Sequence, residues 1–190
     1  MPRIFDNIDQ ALLPALRDTL GVSERADFCV GYFNLRGWKK IDDLVERWPG
    51  SEKNQCRLLV GMHITPDNEL REMLRTHPEG GIDNAALVRL KRKLALDFRE
   101  QLTYGLPTAD DEAGLRRLAS QIDSKKVVIK LHAGYRLHAK LYLLFRRDPV
   151  NPAVGFVGSS NLTLPGLEKQ GELNVDVMDH PACETLARWF

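Results

Sequence analysis

Short apolar runs separated by segments of helical periodicity constrain the fold of this chain more than any other feature. Runs of this kind occupy residues 26–33, 56–62, 127–131, 137–144 and 154–158, and they are typical of buried strands. A further strand is predicted at residues 172–177, where apolar and polar residues alternate. Because helical segments separate the strands, the sequence predicts an α/β fold. We expect a mixed, mostly parallel central sheet flanked by helices on both faces.

The helical segments are marked by the spacing of their apolar residues. This spacing predicts helices at residues 7–20, 37–48 and 181–190, and Pro66 is placed to open another. Residues 83–104 and 109–122 are charge-rich and also predicted to be helical, with Thr108 and Asp111 placed as a capping box. These two helices interrupt the strand–helix rhythm, so residues 82–123 are interpreted as a helical insertion. Residues 1–190 then form a single domain. Its end inside an amphipathic helix is typical of an N-terminal fragment of a longer protein.

Composition narrows the class of protein without indicating a partner. The formal net charge is +1, so only local clusters could indicate a polyanion. No apolar run approaches the ~20 residues that cross a bilayer, and no signal sequence begins the chain, so no membrane partner is expected. Cys29, Cys56 and Cys183 lie among apolar residues, which favours buried thiols in a reducing cytoplasm.

Residues with catalytic potential are concentrated between positions 138 and 172. His138 and Lys140 lie two apart in a predicted strand, so their side chains are expected to project from the same face. An imidazole beside an ammonium group is an unusual pair for a core, because the ammonium disfavours the charged imidazole. The pair suits an anion, since the imidazole can attack or carry protons and the lysine can neutralise a phosphate oxygen.

A second group of polar residues follows the next predicted strand. In the segment Gly158-Ser159-Ser160-Asn161, small residues allow backbone N–H groups to approach an anion, and Asn161 adds a side-chain donor. The same groups could cap a helix. Glu172 could orient the imidazole as the third member of a triad-like arrangement. Asn174 and Asp176, further along that strand, are interpreted as a solvated face.

The ordered set of His138-x-Lys140, then Gly158-Ser159-x-Asn161, then Glu172 resembles the motif of the phospholipase D superfamily. The resemblance covers most of the chain. It implies catalysis by His138, Lys140, Ser159, Asn161 and Glu172, with neither a metal nor another cofactor.

Members of that superfamily use two such motifs at one site, whereas this chain has one. Single-motif members that it resembles are nucleases that pair two subunits, so the resemblance implies a homodimer with a shared site. One His138 would form a phosphohistidine, and the other would protonate the leaving oxygen. The lysines and asparagines would stabilise the phosphate, Ser159 would support the site, and Glu172 would hold the imidazole. The resemblance implies a nucleic-acid substrate, and DNA is expected before RNA.

One position departs from the family motif, which usually carries aspartate five residues after the lysine. Phe145 occupies this position, and strand parity predicts that it faces away from the catalytic pair. This departure, together with a gap between Lys140 and Gly158 that is longer than in the standard motif, favours a second hypothesis. Under it the chain is a catalytically weak or inactive module that binds nucleic acid or dimerises a DNA helicase. Single-motif phospholipase D-like domains also resemble the N-terminal modules of some bacterial DNA helicases. This resemblance implies a C-terminal helicase domain in the full-length protein. A lipid-directed phosphodiesterase is a third possibility.

Basic residues outside the motif offer contacts to a polyanion. Arg136, Arg146 and Arg147 flank the catalytic strand and, with Gly158 and Ser160, are the predicted substrate-binding residues. A basic run, residues 89–93, could also contact phosphates, although such runs on helices are usually solvated. The five histidines show no ligand spacing, so no metal site is expected.

Overall fold

The computed structural model describes residues 1–61, 84–103, 108–132 and 137–190. These residues form a seven-stranded sheet with the spatial order β1-β7-β6-β5-β2-β3-β4. The strands are β1 (Ile4–Phe5), β2 (Ser23–Val30), β3 (Cys56–Gly61), β4 (Val127–His132), β5 (Leu141–Arg146), β6 (Ala153–Gly158) and β7 (Asn174–Val177).

The strand directions differ from the sequence prediction. In the described sheet, β2–β3 and β3–β4 pair in parallel, whereas the other four neighbouring pairs are antiparallel. The prediction of a mostly parallel sheet is therefore wrong. For β5 and β6 the reason is the length of the connection: residues 147–152 join them, and a parallel crossover needs about a dozen residues. The predicted α/β class and the helices on both faces are confirmed.

The helices are α1 (Leu12–Gly21), α2 (Leu35–Trp38), α3 (Asp42–Glu46), α4 (Asn84–Leu102), α5 (Ala109–Asp123) and α6 (His180–Trp189), with a π-helical turn at Pro165–Lys169. The two charge-rich helices, α4 and α5, are confirmed, and Thr108 and Asp111 form the predicted capping box. The predicted helix at residues 37–48 is instead divided between α2 and α3. The helix predicted to open at Pro66 lies outside the described residues.

The first helix begins at Leu12, later than its periodicity predicts. A carboxylate oxygen of Asp6 accepts hydrogen bonds from three successive backbone N–H groups, those of residues 8, 9 and 10. The side-chain oxygen of Asn7 accepts from the backbone N–H of Leu12. These local bonds stabilise a turn that competes with an earlier helical start.

The sheet separates two apolar layers, and β5 contributes to both. Tyr142 and Leu144 belong to the larger cluster, which also contains the buried side chains of α1. Leu141 and Leu143 belong to the smaller cluster, where Cys183 of α6 packs on the opposite face. Because β5 is buried on both faces between β2 and β6, it is a rigid support for the residues that immediately precede it.

Candidate active site

The antiparallel order brings four strand ends together at one end of the sheet. Near the end of β2, Cys29 pairs with Leu141, the first residue of β5. Gly158, the last residue of β6, pairs with Asn174, the first residue of β7. Residues 138–140, 158–161 and 172 all adjoin these ends, which we call the site end of the sheet. The fold therefore gathers segments that are far apart in the sequence.

His138 and Lys140 lie just before β5, not within it as the apolar pattern predicts. Lys140 remains attached to the sheet, because its carbonyl accepts a hydrogen bond from the backbone N–H of Gly158 (3.3 Å). The Nζ of Lys140 donates to the carbonyl of His138 (2.7 Å). The side chain of His138 is exposed, and its imidazole bonds to none of the described residues. It is therefore available to a ligand.

Gly31, which follows β2, is the point around which the polar groups gather. A Cβ at this position would lie 2.8 Å from the carbonyl oxygen of Leu137, 3.4 Å from Oδ1 of Asn161 and 3.5 Å from Nζ of Lys140. The same Oδ1 accepts a hydrogen bond from the backbone N–H of Tyr32 (2.9 Å). The amide NH₂ of Asn161 is thereby oriented away from Tyr32. The absence of a side chain at Gly31 lets an ammonium and an amide approach the same small volume.

Ser159 and Glu172 form a hydrogen-bonded pair beside this cluster. The hydroxyl of Ser159 donates to the Glu172 carboxylate and accepts from the backbone N–H of Leu173 (2.9 Å). The carboxylate thus bonds to a serine hydroxyl, whereas the sequence analysis expects it to hold the imidazole. Ser159 connects the loop after β6 to the start of β7.

Ser160 forms hydrogen bonds with two buried side chains, those of Asn174 and Tyr142. Oδ1 of Asn174 accepts from the Ser160 backbone N–H (3.2 Å), and Nδ2 of Asn174 donates to the Ser160 hydroxyl (2.8 Å) and to the Phe5 carbonyl (3.3 Å). The hydroxyl of Tyr142 donates to the Ser160 carbonyl (2.9 Å). Burial, with a smaller effect of the nearby Glu172 carboxylate, raises the pKa of Tyr142, which therefore stays a neutral donor. These bonds fix the backbone that carries Asn161.

Comparison with solved structures identifies the fold. The chain aligns over its whole length with NucT from Helicobacter pylori, covering 92% of that chain with a TM-score of 0.54 at 10% identity. It aligns over 99% of its length with Nuc from Salmonella typhimurium, a phospholipase D family member, covering 90% of that chain with a TM-score of 0.52 at 10% identity. The chain has the phospholipase D-like fold.

The same fold is found in a longer protein. The whole chain aligns with 25% of polyphosphate kinase from Porphyromonas gingivalis, with a TM-score of 0.56 at 11% identity. Neither a protein-family model nor a curated protein matches the sequence. The likeness is therefore one of fold, and the site itself must carry the functional inference.

Within the phospholipase D-like fold of this chain, Phe145 lies far from the gathered polar groups. It is five residues beyond Lys140 along the strand, which corresponds to about 16 Å. Its ring packs in the smaller apolar cluster, under the guanidinium of Arg25 at 3.9 Å from the ring centroid. Phe145 belongs to the smaller cluster and Tyr142 and Leu144 to the larger one, so the alternation expected of a strand holds within β5.

The predicted substrate-binding residues are divided between the two ends of the fold. Gly158 and Ser160 lie at the site end, in the loop described above. Arg146 lies at the opposite end of β5, where it donates to the Asn151 carbonyl (2.7 Å), and Arg147 pairs with Glu24 (2.5 Å). The structure therefore does not bring these two arginines to the exposed imidazole. Arg136 lies outside the described residues.

Three further findings concern metal binding, membrane-spanning helices and the cysteines. Among the described residues, no group of three or more His, Cys, Asp or Glu side chains could hold a metal ion. In the same part of the chain, no helix is both long enough and apolar enough to cross a membrane. All three cysteines are buried and free, as predicted. Burial raises the pKa of the Cys29 thiol to about 11, against the effect of the Lys140 ammonium.

Several supporting residues were missed by the sequence analysis. The interpretation of Asn174 and Asp176 as a solvated face is wrong, because they are only 1% and 3% exposed. Asp176 pairs with Arg3, and Asn174 holds Ser160. The sequence offered no clear signal for this burial, because β1, which covers this edge of the sheet, is a two-residue strand that periodicity cannot reveal. Glycine at the end of a strand pattern was the available signal for Gly31.

Proposed function

We propose that this chain is a metal-independent phosphodiesterase that cleaves nucleic acid through a covalent phosphohistidine at a site shared by two subunits. One observation carries the proposal: the exposed imidazole of His138 stands at the sheet end where Lys140 and Asn161 approach each other over Gly31. A nucleophile, a cation and an amide donor suit a phosphodiester, whose charge is spread over its non-bridging oxygens.

The first step forms a bond between phosphorus and a ring nitrogen of His138, and the bond from phosphorus to the leaving oxygen breaks. That oxygen receives a proton from the imidazolium of a second histidine. The ammonium of Lys140 and the amide of Asn161 neutralise the charge on the non-bridging oxygens. In the second step the second histidine, now neutral, takes a proton from water, and the resulting hydroxide displaces the ring nitrogen of His138 from phosphorus.

The proposed dimer is supported by the need for a second histidine at the site. His132 ends β4 at the site end, but β4 is three strands away from β5, or about 14 Å. His180 begins α6 after the far end of β7. Neither of these described histidines can flank a phosphate bound at His138. A symmetric pair of chains would supply the partner's His138 with no additional residue.

The proposal is tested by incubating labelled single- and double-stranded DNA and RNA with the protein in excess EDTA. We expect cleavage by the wild type and by His180→Ala, which removes an exposed histidine remote from the site. Cleavage by His138→Ala should be lower by at least about a thousandfold, because the covalent route is lost. An acid-labile phosphoryl label on the wild type, absent from His138→Ala, would identify the intermediate.

A second candidate function follows from the two departures from the motif, which are Phe145 and the long gap between Lys140 and Gly158. Under this hypothesis the phospholipase D-like fold binds nucleic acid or dimerises a helicase, and catalysis is weak or absent. The two hypotheses differ in turnover. A folded dimer that binds nucleic acid but cleaves none of the four substrates would contradict the enzymatic proposal and support this one.

A further inference from the structure

Among the described residues, the ring stacking and the buried side chains of helix α4 lie in its last turns. Phe98 stacks on Phe33 with ring centroids 5.9 Å apart and an interplanar angle of 3°. Gln101 and Leu102 are buried, whereas most described side chains between residues 85 and 100 are exposed or only partly buried. Leu87, Leu90 and Leu94 lie on one side of the helix and are partly buried, whereas the other side is exposed to solvent over most of the helix length.

That surface is basic. The helix carries five basic and two acidic residues. Arg89, Arg92 and Arg99 are exposed, and their spacings of three and seven residues place them on one face. By helical spacing Arg89 lies opposite Phe98, and Arg92 and Arg99 lie about 120° and 100° around the helix from Phe98. Leu96, on the same outward face, is 57% exposed.

The three arginines also differ from other arginines on helices of this chain. Arg116 of α5 is paired with Glu112 (2.7 Å), and Arg117 of α5 is paired with Asp42 (3.2 Å). In the part of the chain that the structure describes, no carboxylate pairs with any of the three arginines of α4. Unpaired guanidinium groups on one face are ready to form bidentate contacts with phosphates.

The end of α4 lies next to the candidate active site. The hydroxyl of Tyr32 donates to the carbonyl of Gln101 in the last turn (3.4 Å), and the backbone N–H of Tyr32 holds Oδ1 of Asn161 (2.9 Å). One residue thus connects the helix to the group that would contact the scissile phosphate. The arginine face begins about 3 Å along the axis from Gln101 and extends to about 18 Å, at 1.5 Å per residue.

We infer that the outward face of α4 binds the sugar-phosphate backbone of a nucleic acid on one side of the scissile phosphate. The inference rests on the proposed function, since it identifies a polymer, not a small diester, as the substrate. The three arginines span about 15 Å, which corresponds to a rise of roughly four base pairs along a duplex axis at 3.4 Å each. Such contacts position a substrate without reading its sequence.

The test measures binding of a labelled oligonucleotide by fluorescence anisotropy between 50 and 200 mM salt, with His138→Ala as the background to prevent cleavage. The test variant adds Arg89→Gln and Arg92→Gln. The matched control adds Lys53→Gln and Lys125→Asn, which remove two exposed cations at the opposite end of the sheet. Asparagine suits position 125, where φ is +58°. Separately, the wild type is assayed with bis(p-nitrophenyl) phosphate, which is too small to reach α4 from the site.

We expect the arginine variant to bind at least about tenfold more weakly at 0.1 M salt, and its logarithmic salt slope to fall by about 1.4 to 1.8. The control should keep the slope of the background. The inference would be overturned if the arginine variant and the lysine control had equal salt slopes, or if His138→Ala alone bound no oligonucleotide. In either case, hydrolysis of the small diester by the wild type would still support the proposed function. If binding depended on the arginines but the wild type hydrolysed no diester, nucleic-acid binding by α4 would be supported and the proposed phosphodiesterase activity would be contradicted.

Discussion

Asn174 offers the sharpest test of how the loop before Asn161 is held. Asn174→Asp keeps the oxygen that accepts from the Ser160 backbone N–H but replaces the amide that donates to Ser160 Oγ and to the Phe5 carbonyl. The shape of the side chain is almost unchanged, so packing is preserved. The substitution therefore isolates the hydrogen bonds from the volume of the residue.

The expected cost follows from those contacts. The Ser160 hydroxyl can reverse and donate to the new carboxylate, but the Phe5 carbonyl loses its donor, which costs about 1–3 kcal/mol in a buried site. Because the position is 1% exposed, burial also disfavours the ionised carboxylate and raises its pKa above the ~3.9 of the unfolded chain. The folded state then binds more protons than the unfolded state. The added destabilisation must therefore grow by up to about 1.4 kcal/mol per pH unit above pH ~4, until the pH passes the raised pKa.

Urea unfolding between pH 4.5 and 7.5 measures this difference, with Asn151→Asp as the control because that side chain lies in the loop between β5 and β6. Asn174→Asp should be destabilised by about 3 kcal/mol or more near neutral pH, and by less at pH 4.5. A destabilisation that stays within about 0.5 kcal/mol of the control and does not vary with pH would refute the role given to Asn174.

Three further predictions use the same chain. Gly31→Ala should lower the free energy of unfolding by about 1–3 kcal/mol, because its Cβ would lie 2.8 Å from a backbone oxygen. The control is Gly21→Ala, whose Cβ would have nothing within 4 Å and which should be neutral or stabilising. Urea unfolding compares the two variants. If two imidazoles share one site, mixing wild type with His138→Ala in exchanging dimers should reduce cleavage as the square of the wild-type fraction; a linear decrease would contradict the shared site. Hydrogen bonds from Lys39, then Thr108, lower the pKa of Asp111 to about 2. In unfolding measurements Asp111→Asn should therefore be about 1 kcal/mol less stable than the wild type above pH 4, and this difference should shrink below pH 4 and be lost as the pH falls through 2.

The sequence was sufficient for most elements but not for the direction in which strands pair. Apolar runs of five to eight residues mark a strand whichever way its neighbours run, since burial on both faces produces the same pattern. Direction depends on the length and geometry of the connections. The six residues between β5 and β6 require a hairpin, and counting them would have corrected the parallel prediction.

The candidate site was partly predictable for a related reason. The order of the motif along the chain predicts that His138, Lys140 and Asn161 act together, and the structure brings Lys140 and Asn161 close to one residue, Gly31. Closeness in sequence was misleading for Arg146, since an extended strand carries the chain about 20 Å over the six residues between Lys140 and Arg146. A buried polar residue such as Asn174 has the same appearance in a sequence as a solvated one, and only its partners reveal the difference.

The presence of Phe145, where the phospholipase D motif that the sequence resembles usually carries aspartate, is consistent with the geometry of the sheet. Position 145 contributes to the smaller apolar layer, where Arg25 covers the phenyl ring and bonds to Asp27 on β2 (2.7 Å). Asp27 is fully buried and also accepts from Arg57 (2.6 Å), so this layer has a carboxylate of its own on a neighbouring strand. The groups proposed to react with phosphate lie about 16 Å away at the other end of β5. A change at position 145 therefore alters how the layer beneath α6 is packed, and it leaves the imidazole, the ammonium and the amide in place.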